Sequence, residues 1–162
     1  RAIYGRSIEH DLLGLTLLRA SVFPDPTADR GQHRLQWSLM PHGGDWRAAG
    51  VDAEAEALVR PLHSGTQTRV APCAVSTIGA IAVEIAAVKP SEDGHARIIR
   101  LVEKHGGHGT AVLRMTDAFH GVQICDCLER PIGTDQLVMD GQTVRVGLKP
   151  FQIVTLRVEP LA

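Results

Sequence analysis

Aromatic residues make up only 4% of the chain, too few for the platforms of exposed rings on which sugars or nucleobases stack. Cysteine is scarce as well. Three in 162 residues is an odd, low count that argues against a disulfide scaffold and for reduced thiols. Charge of one sign is missing: 17 Lys and Arg against 18 Asp and Glu leave a net charge of −1. That provides no electrostatic footprint for nucleic acid or for an anionic membrane surface. No apolar run is long enough to cross a bilayer. The opening RAIYGRSIEHD has neither an initiator Met nor the apolar centre of a signal peptide. These absences point to a cytoplasmic protein. A strand-like segment directly after Arg1 points to a truncated or processed chain.

What is present is an ordinary globular composition, 44% apolar and 22% charged, in a chain long enough for one good core or two small ones. The pattern is mainly β. Leu12 to Arg19 is almost continuously apolar, as in a strand buried on both faces. His33 to Met40 alternates, with Leu35, Trp37 and Leu39 on one face. Asp45 is placed to cap a single helix over Trp46 to Val59, which Gly50 weakens and Pro61 ends. His63 to Arg69 is polar and lacks an apolar period, so it reads as a linker.

Beyond the linker, short strands recur at regular spacing. They fall over Ala74 to Ile78, Ile81 to Lys89, Arg97 to Glu103, Thr110 to Thr116, Val122 to Leu128, Gln136 to Met139, Thr143 to Leu148 and Phe151 to Val158. Pro90 to Gly94 turns a hairpin, and Asp140-Gly141 marks another. Such spacing predicts antiparallel β-sandwiches with one short helix. The last strand is apolar on both faces, like the first, so it should be central or covered from outside the chain.

Several short motifs occur in a fixed order. They are Y-G-R-S at Tyr4 to Ser7, L-G-L-T-L-L-R at Leu13 to Arg19, P-D-P-x-A-D-x-G-x-H at Pro24 to His33 and P-H-x-G-D-W-R at Pro41 to Arg47. V-K-P-x-E-D-G at Val88 to Gly94, R-L-x-E-x-x-G at Arg100 to Gly106 and P-F-x-I-x-T-L at Pro150 to Leu156 follow. Together they resemble the C-terminal β-region of glycoside hydrolase family 38, the retaining α-mannosidases, in its bacterial type. The resemblance implies that residues 1–62 end a large β-sandwich, 63–69 link, and 70–162 form the last, smaller sandwich. It implies a parent that hydrolyses α-mannosides with retention, using an aspartate nucleophile, a second acid and a divalent metal, usually zinc.

The family's H-x-D-x-G-W metal motif is absent here. His42-Gly43-Gly44-Asp45-Trp46 carries similar letters at another spacing. Without βαβ alternation the chain cannot hold the catalytic domain, so no catalytic residue, metal ligand or cofactor is assigned to it. Its implied partners are the N-terminal remainder of the parent, mannose-containing glycans through that parent, and further copies of itself through strands left unpaired. In the family a loop of the β-region reaches the mouth of the catalytic pocket. The resemblance thereby makes Phe23 to Gly31 the candidate contact loop, with Asp25, Asp29 and Arg30 as substrate-binding residues of the intact parent. Asp29 and Arg30 would meet substrate hydroxyls or brace the catalytic domain by an ion pair.

Other clusters have plainer readings. Cys125 and Cys127 would stand on the same face of a strand, where parallel side chains suit buried thiols better than a metal or redox centre. His105, His108 and His120 read as a solvated turn, and His33 and His42 as hydrogen-bonding caps. A glycosidase needs paired carboxylates about 5 to 9 Å apart. Asp25 with Asp29, Glu92 with Asp93 and Asp126 with Glu129 are each accounted for by turn chemistry. Ser7, Ser21 and Ser38 lack a nucleophile-elbow context. The competing function is a free-standing carbohydrate-binding or interaction sandwich. It would need exposed aromatics, whereas Trp37, Trp46, Tyr4 and Phe151 read as scattered and mostly buried.

Overall fold

The fold is described by a computed structural model over residues 5–60, 73–133 and 136–161. Tyr4 and the expected linker lie outside the described residues. The chain divides into two compact units, Arg1–Ala55 and Glu56–Ala162.

In the first unit, β1 (Gly5–Glu9) and β2 (Leu12–Thr16) form a two-stranded antiparallel ribbon, with Ser7 opposite Gly14. The apolar run therefore makes a strand, but a shorter one than Leu12 to Arg19. It is not doubly buried either: Leu12, Leu13 and Leu15 are exposed, because β1 is its sole ladder partner among the described residues. The alternating stretch from His33 to Met40 forms no strand, and Trp37 and Leu39 are exposed. Alternation gives a segment two faces, but a ladder requires a neighbour to bond to.

The expected helix divides in two. Asp45 accepts a bond from Arg47 N–H (2.7 Å), as an N-cap should, but what it caps is a single turn. Gly50 has φ = 69°, and Gly50 N–H bonds to the Arg47 carbonyl while Val51 N–H bonds to that of Trp46. This is the Schellman arrangement that ends a helix. The helix α1 (Val51–Val59) then starts afresh, with the Glu54 N–H on the Gly50 carbonyl.

The second unit is a sandwich. One sheet has the order β3-β6-β10-β9, from β3 (Cys73–Ala80), β6 (His108–Met115), β9 (Leu137–Asp140) and β10 (Thr143–Leu148). The other has the order β4-β5-β11-β7-β8, from β4 (Val83–Pro90), β5 (Arg97–Glu103), β7 (Phe119–Cys125), β8 (Pro131–Gly133) and β11 (Ile153–Pro160). All the pairings are antiparallel.

Strand alternation builds the core. Ala111, Leu113 and Met115 of β6 and Val144, Val146 and Leu148 of β10 face Ile99 and Leu101 of β5 and Val154, Leu156 and Val158 of β11. As expected, β11 is central, between β5 and β7. The edge strand β4 carries a bulge between Ile85 and Ala87, a feature that disfavours pairing with further strands. Gly141 and Gln142 form the two-residue loop of the β9–β10 hairpin, with Asp140 opposite Thr143.

Candidate functional site

The loop from Ala20 to His33 holds the three residues singled out for substrate contact, and the structure ties two of their carboxylates into the loop itself. Asp25 accepts bonds from the Thr27 N–H (2.8 Å) and the Thr27 hydroxyl (2.7 Å), a local turn that holds its pKa below the usual carboxylate value. Asp29 accepts from the Ala20 N–H (2.8 Å), so it staples the base of the loop. Its backbone carbonyl lies 2.9 Å from Nε2 of His33, which gives that histidine a bonding role of the expected kind. Arg30 is exposed. The Phe23–Pro24 bond is cis.

The motif residues of the second unit perform structural chemistry. Glu103 is 1% exposed, at the end of β5. Its two oxygens accept from the N–H groups of Ala82 (3.3 Å), His105 (3.1 Å), Gly106 (2.7 Å) and Phe151 (2.9 Å). These donors come from the β3–β4, β5–β6 and β10–β11 connections, so one carboxylate ties three loops together. Burial alone would raise its pKa. The backbone N–H bonds, that of Phe151 foremost, outweigh it and bring the value down to about 2. The ring of Phe151 covers Gly106. A Cβ on Gly107 would sit 1.8 Å from the Ala80 carbonyl oxygen, so the close approach of these loops requires glycine there. The R-L-x-E-x-x-G and P-F-x-I-x-T-L motifs meet in this knot.

The V-K-P-x-E-D-G motif makes a strap. Asp93, in the β4–β5 turn, accepts from the Ser91 hydroxyl (2.6 Å), His95 N–H (3.0 Å) and Arg157 of β11 (2.8 Å). These bonds, the Ser91 hydroxyl foremost, hold its carboxyl well below the usual range. Glu129, in the β7–β8 turn, pairs with Lys89 and accepts from Glu92 N–H (2.7 Å). Lys89 first, then that N–H, lowers its pKa. The hairpin is thereby fastened across the outer face of the five-stranded sheet.

The cysteine pair does not share a strand. β7 ends at Cys125 because the next residue opens a tight turn: Asp126 accepts from the Leu128 and Arg130 N–H groups, both at 2.9 Å. Cys125 is buried and Cys127 exposed. Burial pushes the Cys73 and Cys125 thiols up. Among the described residues no group of three or more His, Cys, Asp and Glu is placed to hold a metal ion.

The aromatics expected to be buried are not: Trp37 (62%), Trp46 (42%) and Phe151 (67%) are exposed. Arg47 stacks over Trp46, 4.8 Å from its ring centre. A cleft of about 730 Å³ lies beside the β4–β5 turn and includes Val88, His95, Arg97, Asp117 and Phe119. Arg97 and Asp117 pair within it at 2.9 Å. Sequence reasoning gave these two no role, since residues 20 positions apart carry no local signal.

Fold and site together define an antiparallel β-sandwich in which carboxylates fasten loops and turns. Residues 82–156, most of this sandwich, match the model of the glycosyl hydrolases family 38 C-terminal beta sandwich domain. The chain is 34% identical over 159 residues to alpha-mannosidase 2C1 of Homo sapiens, covering 94% of this chain and 15% of that protein. It is 28% identical over 166 residues to alpha-mannosidase G of Dictyostelium discoideum (95% of this chain, 15% of that protein). To a putative mannosylglycerate hydrolase of Halalkalibacterium halodurans it is 27% identical over 172 residues (98% and 19%). The chain thus spans less than a fifth of the length of these relatives. No solved structure matches it significantly.

Proposed function

We propose that the chain is the non-catalytic β-part of an α-mannosidase-type glycoside hydrolase and that it packs on and supports the catalytic portion. One observation carries the reading. The family match falls on a sandwich whose signature carboxylates, Glu103 and Asp93, are engaged in fastening loops. The remaining polypeptide then carries the chemistry: hydrolysis of α-mannosides with retention, through two acids and a metal ion, expected to be zinc. The described residues of this chain do not fit a zinc site, and Asp45 already caps a turn and pairs with Arg47. The bacterial type and a cytoplasmic location belong to the same proposal.

Asp25, Asp29 and Arg30 remain the proposed contact loop at the catalytic mouth. With Asp25 and Asp29 fastening the loop, Arg30 is the side chain assigned to reach substrate or the neighbouring domain. The first unit supports a packing role. Among its described residues none is buried, and Ile8, Leu12, Leu13, Val22, Phe23, Trp37 and Leu39 stand exposed. An apolar surface of this kind is suited to be covered by a partner, here the rest of the enzyme, or by another copy when that is missing.

The competing reading, a free-standing sugar-binding sandwich, draws on the exposed Phe151, but one exposed ring in the described second unit is a poor platform. The test is to express the open reading frame that contains this chain, with and without residues 1–162, and to assay an aryl α-mannoside. The proposal expects the segment outside these residues to hold every essential acid and to lose solubility or activity without them. Turnover that survives the deletion unchanged would overturn it.

A further inference from the structure

The open face of the four-stranded sheet holds two cations that have no carboxylate partner among the described residues. Arg114 lies on β6 and Arg145 on β10, the two central strands. Arg114 stands opposite Thr143, and Arg145 opposite Val112, so the two are diagonal neighbours. Both point away from the core, since Leu113, Val144 and Val146 beside them in sequence are buried within it. With Val112, Ser76 and Thr143 they line a groove of about 310 Å³. Neither guanidinium makes an ion pair among the described residues. Asp140 shares the row of Thr143 and pairs with neither. Most other described cations of this unit have a carboxylate partner, as Lys89, Arg97, Lys104 and Arg157 do. Two like charges set side by side on a sheet repel, and an anion placed between them relieves the repulsion.

We propose that this groove binds an extended acidic segment through two carboxylates spaced i and i+2. The spacing follows from geometry. Diagonal neighbours on a sheet lie roughly 7–8 Å apart, and same-face side chains of an extended segment recur about every 6.6 Å. Each guanidinium offers a planar fork that fits one carboxylate with two parallel bonds. Val112 lies between them as an apolar floor for the carboxylate stems, and the Thr143 and Ser76 hydroxyls border it. The inference does not depend on the activity proposed above.

The experiment titrates the 162-residue chain, labelled with nitrogen-15, with three short peptides and with inorganic phosphate. One peptide carries Glu-x-Glu, one Gln-x-Gln and one Glu-x-x-Glu. The expected result is that Glu-x-Glu shifts the amides around Val112, Arg114, Thr143 and Arg145, that Gln-x-Gln does not, and that added salt weakens the effect. Arg114→Gln and Arg145→Gln should each weaken binding about tenfold, with Arg→Lys recovering part of it. Well-dispersed spectra of the variants establish that they are folded. Equal shifts from Glu-x-x-Glu, equal shifts from phosphate, or binding that survives the double Arg→Gln change would each overturn the proposal.

Discussion

Glu103→Gln tests whether one buried carboxylate holds the end of the sandwich together. In the native protein its oxygens receive four backbone N–H groups at 2.7 to 3.3 Å. The amide of a glutamine can accept at one position only, and its NH2 would face donors at the other. If two of the four N–H groups are left dry, the loss is about 2–6 kcal/mol. Against a domain stability of about 5–15 kcal/mol that is a large fraction.

The pH dependence separates this account from simple packing loss. The folded pKa is about 2, against an ordinary value of 4.5. Between those two values the unfolded chain binds the proton and the folded chain does not. The carboxylate's contribution is therefore complete above pH 4.5 and drains away as pH falls toward 2. Urea unfolding followed by far-ultraviolet circular dichroism, at pH 7 and pH 3, should show wild type and Glu103→Gln far apart at pH 7 and closer at pH 3. Equal stability at pH 7, or a gap that does not narrow at pH 3, would refute the reasoning.

Further outcomes follow from other sites. Gly107→Ala drives a methyl into the Ala80 carbonyl and should cost about 3 kcal/mol or more, read as a fall in urea midpoint. Gly50→Ala meets open space but must hold φ = 69°, so it should cost about 1 kcal/mol and loosen the turn ahead of α1, seen as faster amide exchange at Val51. Asp93→Ala removes the acceptor of the His95 N–H and frees Arg157, so exchange at His95 should accelerate while the core amides of β10 stay protected. In the folded protein a thiol reagent should label Cys127 quickly and leave Cys73 and Cys125 until unfolding, because those two are buried and their thiols are pushed up. Three fast thiols would contradict the burial.

The sandwich was legible because its signals are local. Pro90 to Gly94 and Asp140-Gly141 announce their hairpins, and the alternation of Val144, Val146 and Leu148 announces a core-facing strand. The first unit was less legible for the same reason. Leu12 to Thr16 and His33 to Met40 have strand-like patterns, but burial and pairing depend on neighbours that a pattern does not specify. Gly50 was noted as a weakness, yet that it stops the helix depends on its left-handed backbone and the two bonds that close around it. The role of Glu103 was hidden most completely. Its letter was part of a motif, but its partners come from loops as far away as Phe151, 48 positions along the chain. The reach of Asp93 to Arg157 spans 64 positions and left no local trace either.

The most direct test of the central claim is turnover of an aryl α-mannoside by the isolated 162-residue chain, with zinc supplied. The account predicts no hydrolysis above the rate of buffer. Hydrolysis that co-purifies with the chain and disappears on changing one of its own carboxylates, Asp25, Asp29 or Asp117, to the amide would contradict it.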